Sequence, residues 1–164
     1  MKTAENATIS LGKPIVAPCL IPVLHDSTPN CISDPFVVDG KVYKVTALSF
    51  GTPHAAVIVD DVDDVNVPAL GAALGTHPLF PEGASVVFIQ KIENDTIKVR
   101  LWQRGAGETA FTSEAACVAG TASMMLQKIM NSKATVLMGA KTVQVEWDRV
   151  GDARLTDPVD LVDA

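Results

Sequence analysis

Between Glu114 and Lys128 the chain carries no charged residue, yet the segment reads as a helix. Ala115, Ala116, Ala119, Gly120, Ala122 and Ser123 are small, whereas Val118, Met124, Met125, Leu126 and Ile129 are large. A helix that is apolar on every side is enclosed by protein. The chain has 164 residues, 48% of them apolar and 20% charged, enough for one domain with its own core. Candidate strands greatly outnumber candidate helices, so the enclosing material has to be sheet. Small residues let strands come close. The fold expected is α+β: a single domain over residues 1–164, with a strongly curved, mostly antiparallel half-barrel sheet around one central helix of about residues 113–130.

The remaining pattern supplies the strands. Residues 7–11 alternate and end at Gly12. Residues 13–35 hold five prolines and predict an irregular segment. Residues 36–38 and 42–50 flank Asp39-Gly40, a hairpin signal. Residues 55–59 read as a buried strand. Asn66 can cap a short helix over 67–75, with Pro68 in its first turn. Strands follow at 84–92 and 96–103 around the turn Glu93-Asn94-Asp95, and again near 134–138, 142–147 and 153–156.

Net charge is −6 and the 13 Lys and Arg residues are scattered, which argues against nucleic acid or an anionic membrane as partner. No stretch reaches 18 uninterrupted apolar residues, so no membrane span is expected. Residues 1–6 have no apolar run behind them, so no signal peptide is expected either and the reading is cytoplasmic. Cys19, Cys31 and Cys117 lack metal-ligand spacing and read as free thiols of a reducing compartment. Asp60, Asp61, Asp63 and Asp64 lack the glycine and terminal glutamate of a calcium loop and read as a solvated loop. No metal site is expected. Trp102 and Trp147 read as packing aromatics, His25 and His77 as ordinary loop histidines.

Just ahead of the uncharged helix runs Gln103-Arg104-Gly105-Ala106-Gly107-Glu108-Thr109, a glycine-punctuated loop carrying an arginine. Such a junction offers free N–H groups and a positive dipole end to an anion. With Ser49-Phe50-Gly51-Thr52-Pro53-His54, His77-Pro78-Leu79-Phe80-Pro81-Glu82-Gly83 and Val143–Trp147, in this order and spacing, it resembles the C-terminal lobe of diaminopimelate epimerase, within the cofactor-independent amino-acid racemases and epimerases. The resemblance covers about residues 7–162. It implies no cofactor and a small-molecule substrate held between two similar lobes. It also implies two cysteines, one at a helix N-terminus in each lobe, that remove and return an α-proton.

Against that pattern the thiol position is Thr112, with Cys117 five residues later as a buried packing residue. The substrate-binding positions are changed to Thr52, Ser85 and Gln103, and the lobe carrying the other cysteine is not in this sequence. The resemblance leaves His54, Arg104 and Thr112 as candidate catalytic residues, and Thr52, Ser85, Gln103, Ser113 and Glu114 as candidate substrate-binding ones. Arg104 reads either as a carboxylate or oxyanion partner or as a brace of its own loop. His54 is either acid–base or structural, Ser113 and Glu114 also serve as helix-capping residues, and Glu108 orders the loop. Three functions stay open. One is a cofactor-independent isomerase or cyclase of secondary metabolism, acting by positioning and electrostatics. Another is one subunit of a two-chain racemase, and the third is a non-catalytic binding lobe. A homodimer or a separate partner lobe is expected to cover the face left by the missing half.

Overall fold

A computed structural model of the chain describes residues 6–17, 20–24 and 31–158. The readings placed on Cys19 and His25 lie outside these residues. Ten strands form one sheet: β1 (Asn6–Gly12), β2 (Asp34–Val38), β3 (Lys41–Ser49), β4 (Pro53–Ile58), β5 (Ser85–Glu93), β6 (Thr96–Gln103), β7 (Gly107–Thr109), β8 (Lys133–Met138), β9 (Lys141–Glu146) and β10 (Ala153–Pro158). Two α-helices join them, α1 (Val67–Gly75) and α2 (Ser113–Met125), with a one-turn 3-10 helix at Val62–Asp64. The order across the sheet is β1-β10-β9-β8-β6-β5-β4-β3-β2, with β7 paired to β6 off this path. Only β4–β5 and β6–β8 run parallel; the other pairs are antiparallel. The two parallel pairs occur where a helix intervenes, because a parallel connection needs a crossover.

The uncharged segment behaves as its composition requires. Ala115 to Met124 of α2 are all buried, packed on Leu48, Ala56, Val87, Ile89, Val99 and Leu101 from β3 to β6 and on Val136, Val143, Val145 and Leu155 from β8 to β10. Close approach depends on Gly120: a Cβ there would stand 2.8 Å from the Val145 side chain. The helix ends five residues before the expected 130. Gln127 turns into the left-handed region (φ 59°) and the Lys128 N–H returns to the Ser123 carbonyl at 2.8 Å. Ile129, already beyond that turn, is still buried, which is why the apolar pattern runs past the helix.

The sheet is not a single shell. Alternate residues of β4 and β5 enter a second core on the convex face, where Ala55, Val57, Val86 and Phe88 meet Val67 and Leu74 of α1 together with Phe36 and Phe80. The expected hairpin forms at Asp39-Gly40, both with positive φ (51° and 79°). The segment read as irregular over 13–35 contributes more than expected. Ile15 exchanges two backbone hydrogen bonds with Ser49, and β2 already starts at Asp34. Its Pro35 is tolerated because β2 is an edge strand. Phe50, expected in β3, falls just after it, and the three-residue β7 was not anticipated.

No helix among the described residues is long and apolar enough to cross a membrane. Among the same residues no group of three His, Cys, Asp or Glu side chains is gathered as a metal site.

Candidate active site

Parity along three neighbouring strands brings one end of the concave face together. His54 is the second residue of β4 and shares the face of Ala56, which packs on α2. Ser85 opens β5 and is the register partner of His54. Gln103 closes β6 on the same face as Leu101. Arg104 follows it, and α2 begins from Thr112.

Thr112, not Ser113 or Glu114, caps the helix. Its backbone is extended (φ −137°, ψ 150°) and its hydroxyl accepts the Ala115 N–H at 3.0 Å. Ser113 and Glu114 are the first two helical residues, and their N–H groups have no partner within the helix. The Glu114 carboxylate reaches across 62 residues of sequence and accepts the Thr52 N–H at 2.8 Å. That carboxylate oxygen also lies 3.8 Å from Nδ1 of His54.

His54 is 3% exposed, and its Nδ1 donates to the Thr52 carbonyl at 2.8 Å. This bond assigns the proton to Nδ1. Nε2 has no hydrogen-bond partner among the described residues, and it is not one of the atoms sealed away without one. Burial holds the imidazole below the ordinary histidine range. The Thr52 carbonyl and the Glu114 carboxylate pull the other way, while the Arg104 guanidinium depresses it further. The ring is therefore neutral at pH 7, with a lone pair on Nε2.

Arg104 braces its own loop: its N–H donates to the buried Ser85 hydroxyl at 3.0 Å and one Nη to the Glu82 carbonyl at 2.7 Å. Its other guanidinium donors are unoccupied among the described residues. Gln103 and Ser113 make no side-chain hydrogen bond there. Glu108 does order the loop, through an ion pair with Arg100 at 2.6 Å. Arg100 was missed in the sequence. It also donates to the carbonyls of Val62 and Val65 and so ties the loop to the 3-10 turn. A single arginine inside an alternating strand carries no local signal of such a role.

Neither described cysteine is a nucleophile in waiting. Cys117 is fully buried, and its thiol is pushed up to about 12 by burial and then by Glu114. Cys31 is likewise pushed up to about 12, by burial and then by Asp34. His77 is structural: Nδ1 accepts the Leu79 N–H, Nε2 faces the Val37 carbonyl, and the ring stands 4.9 Å from Phe36. Trp147 lies just beyond β9 and donates to the Gly151 carbonyl.

Comparison with known proteins agrees with the geometry. The sequence model of the diaminopimelate epimerase family matches residues 46–162. A diaminopimelate epimerase of Geobacillus sp. (strain WCH70) is 34% identical over 158 residues, covering 96% of this chain and 56% of the relative. That of Leptospira biflexa is 35% identical over 154 residues, covering 94% and 55%. The chain thus spans a little over half the length of these curated relatives. A solved structure described as a predicted epimerase from Pseudomonas aeruginosa shares the fold, with a TM-score of 0.55 at 14% identity, covering 97% of this chain and 59% of that one. With its curved sheet, its Arg-Gly loop and its buried helix, the chain belongs to the diaminopimelate epimerase family.

Proposed function

We propose that this lobe serves a cofactor-independent isomerase or cyclase acting on a small biosynthetic metabolite, in which His54 handles the proton that a thiol would otherwise move. The observation that carries the reading is the state of the groups at the start of α2. The Thr112 hydroxyl is engaged in capping, Cys117 is enclosed, and the His54 Nε2 lone pair is open. In such a step Nε2 takes a proton from carbon. The electron pair of the broken C–H bond moves into an adjacent carbonyl or carboxylate, and the developing oxyanion is met by Arg104 or by the free N–H groups of Ser113 and Glu114. Nε2 then passes its proton to solvent while water at the opposite face delivers one there, and the centre is inverted. Attack of the carbanion on a carbonyl carbon of the same molecule closes a ring instead: the C=O π pair goes to oxygen, and the alkoxide takes the proton held on Nε2.

The test is exchange of substrate carbon-bound protons in D₂O, read by mass spectrometry over amino acids, diaminopimelate and proline derivatives. Uptake is expected, with a loss of about 100-fold or more in His54→Gln, a comparable loss in Arg104→Ala, and full retention in Cys117→Ser. Retained uptake in His54→Gln would refute the assignment.

A second reading concerns assembly. The curated relatives are nearly twice as long as this chain, which covers 56% of one of them, and a second lobe, either another copy of this chain or a separate partner, would complete a site at the His54 end of the sheet. Light scattering at micromolar concentration should give a dimer. A monomer that turns over unaided would end this reading.

A further inference from the structure

The 51–54 turn is held from both sides. The Thr52 N–H is taken by Glu114 at 2.8 Å, and the Thr52 carbonyl by His54 at 2.8 Å. That carbonyl belongs to the Thr52–Pro53 peptide, which has no N–H, so the imidazole meets an acceptor and nothing else. A nitrogen that faces only an acceptor must carry the proton. Glu114 is also the negative charge nearest the ring, 3.8 Å from Nδ1, although it makes no hydrogen bond to it. From the β6–β7 loop the ring feels Arg104. From β5 it faces the neutral Ser85, and at the head of α2 Thr112 is neutral as well.

We infer that Glu114 is a positioning residue for His54: it anchors the turn that keeps the ring proton on Nδ1, presents Nε2 as the free base, and stands as counter-ion to the imidazolium once Nε2 is protonated. The inference rests on reading His54 as the base, but its test needs no turnover. A glutamate in a first helical turn favours the dipole; this one also holds a turn 62 residues away.

The experiment is long-range ¹H–¹⁵N NMR of the histidine rings of the whole chain, titrated with pH, with His54 assigned by its disappearance in His54→Gln. In the wild type the Nδ1–H tautomer is expected. In Glu114→Gln the His54 midpoint moves to lower pH and the single tautomer gives way to a mixture. In Arg104→Gln the midpoint moves to higher pH. Opposite signs from two neighbouring charges are what a general loosening of the site cannot produce. An unchanged midpoint and tautomer in Glu114→Gln would overturn the inference. Should that variant not fold, the wild-type spectrum decides alone: a His54 ring protonated on Nε2 overturns it.

Discussion

The two helices lie on opposite faces of one sheet and begin alike, but only one begins beside a buried imidazole. Asn66 caps α1 by accepting the Ala69 N–H at 3.3 Å; Thr112 caps α2 by accepting the Ala115 N–H at 3.0 Å. Each helix also approaches its strands through glycine. In α1, Gly71 and Gly75 lie against Trp102, and in α2 Gly120 lies against Val145. The difference is in what the strands deliver to the capped end. Near the start of α1 stand Arg100, the 3-10 turn and their mutual hydrogen bonds, all satisfied. Near the start of α2 stands a buried imidazole with one nitrogen unpaired. A helix N-terminus is a generic polar device, and what distinguishes this one is the imidazole that the start of β4 places beside it.

The packing half of the comparison breaks most easily at Gly75. A Cβ there would lie 2.3 Å from the Trp102 ring and 2.6 Å from the Ala84 carbonyl, and backbone cannot step aside. Gly75→Ala should lower stability by about 3 kcal/mol or more by urea denaturation. Gly120→Ala meets only a side chain, at 2.8 Å, and gains up to about 1 kcal/mol of helix propensity, so a smaller net loss of about 1–2 kcal/mol is expected. Equal losses would mean that both faces pack with the same tolerance.

The capping half is sharpened by a matched pair. Asn66→Ala and Thr112→Ala should each lower stability by about 1 kcal/mol. Only Thr112→Ala should change proton exchange as well, because its helix end faces His54. If Asn66→Ala reduces exchange equally, the contrast drawn between the two ends is wrong.

The smallest effect is one of pH. The unfolded chain titrates His54 near 6.5, whereas burial lowers the value in the folded state. Between those two values the unfolded state binds more protons, so stability rises with pH there. It should therefore fall as pH drops below about 6.5, and the denaturation midpoint should depend less on pH in His54→Gln.

Local pattern was enough for most elements. The Asn66 cap and α1 over 67–75 were legible because cap, proline and apolar run agree, and the Asp39-Gly40 turn because both its residues tolerate positive φ. The curved sheet around α2 followed from thirteen consecutive uncharged residues, 115–127, that had to be enclosed. The rest depends on distance in sequence. Glu114 meets Thr52 and Ser85 meets Arg104 only once the sheet is assembled. The second core arises because β4 and β5 are buried on both faces, and a continuous apolar run hides which side each residue takes. The Thr112 hydroxyl bond to Ala115 required the helix start to be placed to the residue.

The first and last described strands are neighbours, with Asn6 opposite Pro158. A short linker from the end of β10 to the start of β1 and a new break in the exposed Asp39–Gly40 turn would give a circular permutant with the same neighbours throughout the sheet. In that permutant β2 and β3 would become the termini, and the His54 end of the sheet would keep every strand that builds it.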